Sequence, residues 1–148
     1  MPIEHVGLGV PDVDAARAYY DELMPLVGYQ PCFGTGYCPD DWQGAQVFLY
    51  PAREQAPYSR HRVGLQHLAF LVPTRAAVHR VHEWAQGRGD EIVHPPQAFP
   101  EYGPDCYATF FLDPHGFMLE AVCHTAEAAG SGGPGDLPGV SAGPATGA

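Results

Sequence analysis

Positive charge is scarce in this chain of 148 residues, which has 7 Lys and Arg against 17 Asp and Glu and a formal net charge of −10. A surface of this sign repels phosphate backbones and anionic lipid headgroups. The sequence has no apolar run of about 18 residues and no basic cluster after Met1, so we expect neither a membrane-spanning helix nor a signal peptide. These absences argue against nucleic acid and membrane as partners and favour a cytoplasmic protein.

Cysteine is also sparse, and its spacing is uninformative. The sequence contains Cys32, Cys38, Cys106 and Cys123, with no C-x-x-C pair. In a reducing compartment such residues are small apolar fillers of a core. We therefore expect reduced cysteines and no structural zinc site.

The domain organisation follows from composition. Hydrophobic residues make up 45% of the chain, which suits one compact domain with a substantial core. After Cys123 the sequence becomes rich in Gly, Ala, Pro and Ser, which have little apolar surface to bury. We expect a folded domain over 1–124 and a disordered tail over 125–148.

An internal repeat organises the domain. The segment EHVGLGVPD (4–12) aligns with QHLAFLVPT (66–74) and places His5 on His67. In both, an apolar strand ends at Pro, which keeps the preceding residue extended, and Asp12 or Thr74 can then cap a helix. Apolar residues at helical spacing predict these helices over 13–25 and 75–86.

A second alignment matches DWQGAQVFLY (41–50) to DPHGFMLEAV (113–122) and places Phe48 on Glu120. Each segment reads as a turn followed by a strand. Together with extended segments at 29–38, 91–94 and 106–112, each half of the domain reads as a βαβββ module. The sequence therefore predicts an α+β fold with modules at about 3–51 and 64–123.

Side-chain alternation suggests where the two histidines point. On a strand, His5 shares a face with Gly7 and Gly9, and His67 shares a face with Ala69, whereas the larger apolar residues lie on the other face. Both histidines should therefore point away from the helices into open space. If sheet pairing joins these faces, Glu120 of the last strand converges on them.

A metal site competes with a simpler interpretation. A single histidine in an apolar strand is more often a hydrogen-bonded core residue, and a single strand glutamate more often lies on a solvated face. Here the histidines occupy equivalent repeat positions, and the carboxylate lies in an apolar strand where burial without a partner is costly. Two imidazoles and a carboxylate form a facial set that leaves about three coordination positions open on a divalent ion.

The segments IEHVGLGVPDVDAARAYYDEL, GLQHLAFLV and TFFLDPHGFMLEAV resemble the vicinal oxygen chelate superfamily, which includes glyoxalase I, bleomycin-resistance proteins and extradiol dioxygenases. The resemblance covers about residues 3–123. It implies paired βαβββ modules that curl into a cupped mixed sheet around a divalent ion, with His5, His67 and Glu120 as its ligands. The ion chelates neighbouring oxygens of a small-molecule substrate, and Fe(II), Mn, Ni and Zn remain open as its identity. The resemblance also implies a homodimer, with the cup completed within one chain or by the partner.

The resemblance leaves two functions open. In glyoxalase I the strand equivalent to 46–50 supplies a further glutamate ligand, whereas this chain has Phe48, so lactoylglutathione lyase activity is not expected. The enzyme alternative is a metal-dependent reaction of dioxygenase or lyase/isomerase type. The other alternative is binding of a drug or metabolite without chemistry, for which Trp42, Phe48, Phe99 and Tyr102 would be suitable.

Three further residues are candidates for catalysis. If a hairpin places Leu112 opposite Phe117, Tyr107 lies on the same face as Glu120 and can act as an acid or a substrate donor. The same register places Cys106 opposite Cys123. His61 and Tyr102 lie on Pro-rich connections that can border the cup. His79 and His82 lack a complete H-E-x-x-H motif and read as helix surface.

Overall fold

The computed structural model describes residues 3–126 and has the expected α+β architecture, with two helices and eight strands. The first module contains β1 (His5–Val10), α1 (Val13–Leu26), β2 (Tyr29–Pro31), β3 (Gly36–Pro39) and β4 (Gln46–Pro51). The second contains β5 (Leu68–Leu71), α2 (Arg75–Arg88), β6 (Ile92–Ala98), a short 3-10 helix (Pro100–Tyr102), β7 (Tyr107–Leu112) and β8 (Met118–Cys123). The tail predicted from residue 125 onward lies almost entirely outside the described residues.

Both helices begin where the repeat predicts. The side chain of Asp12 accepts a hydrogen bond from the Ala15 N–H at 3.0 Å, and that of Thr74 accepts one from the Ala77 N–H at 3.1 Å. These caps satisfy N–H groups that have no partner within the helix. Within residues 3–126, neither helix is long and apolar enough to cross a bilayer.

Each module forms its own four-stranded mixed sheet. The strand orders are β1-β4-β3-β2 and β5-β8-β7-β6, and the first strand of each module runs parallel to the last. Over the described part of the chain, β1 and β5 therefore each pair on one side only and form an edge of their sheet. The two βαβββ modules and their mixed sheets are as predicted, and within residues 3–126 no backbone pairing joins the two sheets.

The helical sides of the two modules share one core. The Tyr20 hydroxyl donates a hydrogen bond to Asp113 at 2.8 Å, and the Tyr19 hydroxyl donates one to Asp90 at 2.7 Å. Leu8 and Val10 of β1, like Phe70 of β5, lie in this core, as alternation predicted. The opposite face of each sheet, which carries the two histidines, is left open.

The pairing register between β7 and β8 differs by one residue from the predicted register. Leu112 lies opposite Met118 and Phe110 lies opposite Glu120. Five residues, 113–117, connect the two strands, and Gly116 among them has a φ of 92°, which belongs to the left-handed region that glycine adopts easily. The predicted pairing of Leu112 with Phe117 was therefore wrong, and Cys106 does not lie opposite Cys123, which pairs with Tyr107.

The expectation of four reduced cysteines was also wrong. Cys32 and Cys38 form a disulfide across the β2–β3 hairpin, with 5.8 Å between their Cα atoms. Cys106 and Cys123 are free and buried, as core fillers would be. Disulfides persist mainly in oxidising compartments, so this bond runs against the reducing compartment that was expected because the sequence shows no signal peptide.

Candidate metal and ligand site

A histidine and a glutamate meet on the open face of the second sheet. Nε2 of His67 lies 3.1 Å from Oε2 of Glu120. Glu120 lies opposite Ala69 on β5 and Phe110 on β7, so it stands between two neighbouring strands, and it is 8% exposed. Burial raises the pKa of Glu120 above its usual value, while His67 acts in the opposite direction. The pair is thus a buried carboxylate with one imidazole beside it.

Each of the two repeat histidines also contacts the residue before it. Nδ1 of His5 contacts a carboxylate oxygen of Glu4, and Nδ1 of His67 contacts the amide oxygen of Gln66. In the tautomer with the proton on Nδ1, such a contact leaves the Nε2 lone pair for a metal ion or another partner. In both residues Nδ1 thus contacts an oxygen of the preceding side chain, and Nε2 of His67 faces Glu120.

A cavity of about 690 Å³ surrounds the His67–Glu120 pair. Ala69, Met118 and Val122 supply apolar surface, and Tyr102 borders the cavity from the 3-10 helix. A volume of this size suits a small organic molecule, and a mainly apolar lining with a few polar groups is typical of ligand sites.

Aromatic rings form one side of this cavity. The ring of Phe110 lies 5.8 Å from that of His67, 5.5 Å from that of His94 and 5.4 Å from that of Phe99, measured between centroids. Phe99 in turn lies 6.3 Å from Tyr102. Sequence reasoning missed Phe110 because of the one-residue error in the hairpin. It missed His94 because bulges in β6 break the alternation that locates side chains.

The three catalytic candidates have different positions. Tyr102 lines the cavity. The Tyr107 hydroxyl instead lies 3.0 Å from Nε2 of His79 on α2, on the helical side of the sheet and away from Glu120. His61 lies in the exposed connection between the modules and does not line the cavity. The structure therefore groups Tyr102 with His67 and Glu120, and separates Tyr107 and His61 from them.

His5 belongs to the other sheet. It lies at the β1 edge, with its ring 5.6 Å from that of Phe48 and nearly perpendicular to it. It does not line the cavity around Glu120. Between residues 3 and 126, no three His, Cys, Asp or Glu side chains come close enough together to hold a metal ion. One chain thus brings together two of the three expected ligands.

The comparisons with known proteins agree with this architecture. The family model for the Glyoxalase/Bleomycin resistance protein/Dioxygenase superfamily matches residues 2–121. The uncharacterized protein YqjT of Bacillus subtilis (strain 168) is 26% identical over 127 residues, which cover 81% of this chain and 97% of YqjT. A glyoxalase/bleomycin resistance protein from Albidiferax ferrireducens T118 superposes with a TM-score of 0.66 at 18% identity, covering 83% of this chain and 99% of that one.

The same fold also occurs in a protein with a different described role. The fosfomycin resistance protein FosX of Listeria monocytogenes superposes with a TM-score of 0.56 at 14% identity, covering 84% of this chain and 94% of that one. Similarity at this level shows a common fold. Because one fold can support several chemistries, the reaction has to be argued from the residues of the site.

Proposed function

This chain belongs to the Glyoxalase/Bleomycin resistance protein/Dioxygenase superfamily, and on that premise we propose that it is a metal-dependent enzyme acting on a small molecule with two adjacent oxygens. His67 and Glu120 of one chain and His5 of a second copy would hold one divalent ion. The reaction would be of dioxygenase or lyase/isomerase type. The homodimer and the cytoplasmic location belong to the same proposal, and in that compartment Cys32 and Cys38 would form their disulfide only under oxidation.

The buried His67–Glu120 pair carries this proposal. An ionised carboxylate in an apolar cavity is costly unless it is paired. In the described residues, His67 contacts Glu120, and the charges of His67 and His124 both lower its pKa. A divalent cation satisfies the carboxylate and both imidazoles at once. The donor set therefore fits a metal ion, although one chain supplies only two of the three donors.

The free strand edges support completion of the site by a partner. Strands β1 and β5 each leave one row of backbone N–H and C=O groups unpaired over the described residues. Unpaired edges are templates for strand pairing between chains. A two-fold dimer that pairs β1 of each chain with the partner's β5 would close two cups, each with a His5 from one chain beside the His67–Glu120 pair of the other.

Different residues of the site would have different roles in binding and catalysis. A bound divalent ion would act as a Lewis acid that lowers the pKa of a coordinated hydroxyl. The apolar wall that includes Ala69, Met118 and Val122 excludes water and orients the substrate. Tyr102 and His94 face the same cavity and can hold or transfer a proton at the hydroxyl oxygen and at a ring nitrogen. Tyr107 and His61, predicted for this role, are not among the residues that line the cavity.

The second candidate function is binding without chemistry. The aromatic rings of Phe99, Tyr102 and Phe110 favour it, because they offer apolar surface to a drug or metabolite. A measurement of chemical turnover distinguishes the enzyme from the binding protein. A protein that binds its ligand tightly and leaves it chemically unchanged under every metal and oxygen condition is a binding protein.

Elemental analysis of a tagged heterodimer tests the shared site. One chain carries His5→Ala and the other His67→Ala, and the two tags allow the mixed dimer to be isolated. If each site is shared, the mixed dimer keeps one complete site and about half of the wild-type metal per dimer, because both substitutions fall in the other site. Each variant homodimer should lose its metal.

Other results would contradict this proposal at separate points. A mixed dimer without metal, beside a metallated wild type, would place all ligands within one chain. Wild-type protein that takes up no divalent ion would refute the metal site. A monomer at micromolar concentration in light scattering would refute the dimer.

A further inference from the structure

Four aromatic side chains form a continuous exposed surface on the first sheet, beside His5. The ring centroids of Trp42 and Phe33 are 6.4 Å apart, those of Phe33 and Phe48 are 6.1 Å apart, and those of Phe48 and Tyr50 are 6.4 Å apart. Three of the four are among the most exposed large hydrophobic residues in the described chain: Phe33 is 57% exposed, Trp42 60% and Tyr50 50%. We call these four residues the aromatic face.

Glycines let two of these rings lie close to the sheet. A Cβ atom added at Gly36 would come within 2.5 Å of Cε1 of Phe48, and one added at Gly7 would come within 3.0 Å of Cε2 of Tyr50. The rings therefore occupy space that side chains of the neighbouring strands would fill. This packing supports the rings from below and keeps their outer sides open.

The loops that carry the other two rings are fixed despite their exposure. The Cys32–Cys38 disulfide closes the hairpin that contains Phe33. In the same hairpin, Thr35 accepts a hydrogen bond from the Leu49 N–H at 3.2 Å and donates its hydroxyl to the Leu49 carbonyl. Trp42 has a φ of 57°, a conformation that non-glycine residues adopt only where the surroundings impose it. The surrounding structure therefore holds the rings of the aromatic face in position.

The aromatic face and the cavity rings have matching relations to the two proposed ligand histidines. His5 meets Phe48 at 5.6 Å and 84°, and His67 meets Phe110 at 5.8 Å and 60°. In the proposed dimer, the aromatic face of one chain would stand across the cup from the cavity of its partner. A substrate held at the metal would then have aromatic surface on both sides.

We propose that the substrate is a planar, polycyclic aromatic molecule with two adjacent oxygens, whose ring system stacks on the aromatic face. This proposal rests on the proposed function and specifies its substrate class. Offset stacking of aromatic rings favours centroid separations of about 4.5–7 Å. The row of four side chains extends beyond a single ring, and it contains no charged group that would select a polar ligand.

Binding of three probes to the metallated protein, measured by calorimetry without oxygen, tests the substrate class. The probes are 2,3-dihydroxynaphthalene, catechol and cyclohexane-1,2-diol, which share two adjacent oxygens and differ in aromatic surface. The dihydroxynaphthalene should bind about tenfold more tightly than catechol, since one additional stacked ring contributes about that factor. The cyclohexanediol should bind most weakly.

The Gly36→Ala variant tests whether the affinity for 2,3-dihydroxynaphthalene depends on the aromatic face. The new methyl group displaces the Phe48 ring and should weaken dihydroxynaphthalene binding about fivefold to tenfold, with unchanged metal content. Gly87→Ala is the matched control, because a Cβ at Gly87 meets nothing within 4 Å. If Gly36→Ala lowers the thermal midpoint, Phe33→Ala serves as a second variant. It removes an exposed ring without changing the core, and it should also weaken the binding of 2,3-dihydroxynaphthalene.

The outcomes separate this inference from the proposed function. Equal affinity for the three probes, or unchanged affinity in both Gly36→Ala and Phe33→Ala, overturns the polycyclic substrate while leaving the metal site intact. Loss of dimerisation in these variants, with unchanged probe affinity, shows that a second copy covers the aromatic face, which also overturns the inference. If the protein contains no metal but still binds 2,3-dihydroxynaphthalene, the proposed function is refuted and the inference about the aromatic face is not.

Discussion

Nε2 of His67 and Oε2 of Glu120 lie 3.1 Å apart inside a mainly apolar cavity, and the residue that aligns with Glu120 in the first module is Phe48. The repeat thus conserves the histidine position and changes the chemistry of the strand beside it. The second module has a buried carboxylate next to its histidine, whereas the first has an aromatic ring. This asymmetry predicts which substitutions affect metal binding and which affect ligand binding.

Glu120→Gln should abolish metal binding without destabilising the metal-free protein. The amide keeps the shape of the side chain but is a much weaker ligand, and it removes the cost of burying a charge. Elemental analysis and thermal unfolding in a chelator measure the two effects. Glu83→Gln on the exposed surface of α2 is the control and should change neither. Wild-type metal content in Glu120→Gln would exclude the carboxylate as a ligand.

Asp113 should link stability to pH through the contact between the two modules. It accepts hydrogen bonds from the Tyr20 hydroxyl and from the N–H groups of His115 and Phe117. Burial raises the pKa of Asp113 above 3.8, although these hydrogen bonds act in the opposite direction. Because the folded state holds the proton more tightly, this contribution to stability is present at low pH and is lost as the pH rises through the folded pKa.

Two substitutions separate the charge of Asp113 from its hydrogen bonds. Asp113→Asn should remove the pH dependence that this carboxyl contributes to stability, so that the wild type loses stability relative to this variant as the pH rises from 3.8 through the folded pKa of Asp113. Asp113→Ala should cost about 2–4 kcal/mol at low pH, because it leaves buried donors without an acceptor, and this cost should become smaller as the pH rises through the folded pKa of Asp113. Urea unfolding across this pH range measures both effects. A constant stability difference between wild type and Asp113→Asn would show that the carboxyl does not titrate differently on folding.

The Cys32–Cys38 disulfide should stabilise the domain by about 2 kcal/mol, the value expected for closing a short loop in the unfolded chain. The Cys32→Ser, Cys38→Ser double variant should unfold at a lower temperature than the oxidised wild type. A phosphine reductant should lower the midpoint of the wild type to that of the variant and leave the variant unchanged. Insensitivity of the wild type to the reductant would contradict a stabilising disulfide.

The repeat was sufficient to predict the two βαβββ modules, and the family resemblance added the cupped sheet. Alignment of His5 with His67 located both strand–helix units, and Asp12 and Thr74 marked the helix starts correctly. These features depend on local sequence, namely side-chain alternation and capping. The family model over residues 2–121 confirms the fold and the superfamily.

The parts that sequence reasoning missed depend on loop conformation and long-range pairing. The five-residue connection 113–117 shifts the register of β7 by one position from the predicted one, which exchanges Tyr107 for Phe110 on the face of Glu120. A shift of one residue turns every side chain of a strand to the opposite face. The Cys32–Cys38 bond depends on how two short strands fold back on each other. The separation of His5 from His67 depends on strand edges that remain unpaired in one chain.

Lactoylglutathione lyase activity should be absent or very weak in fully metallated protein. Phe48 occupies the position at which the glyoxalase I pattern has a ligand glutamate, and a phenyl ring can neither bind a metal ion nor accept a proton. It also lies over Gly36 as part of the aromatic face. Phe48→Glu should therefore strengthen metal retention against a chelator and weaken binding of 2,3-dihydroxynaphthalene, whereas Phe48→Leu should weaken ligand binding alone. Assays with methylglyoxal and glutathione, beside catechols with oxygen uptake, compare the three proteins under several metals. Robust glyoxalase turnover by the wild type would contradict this interpretation of Phe48, because it would show that proton transfer proceeds without a carboxylate at this position.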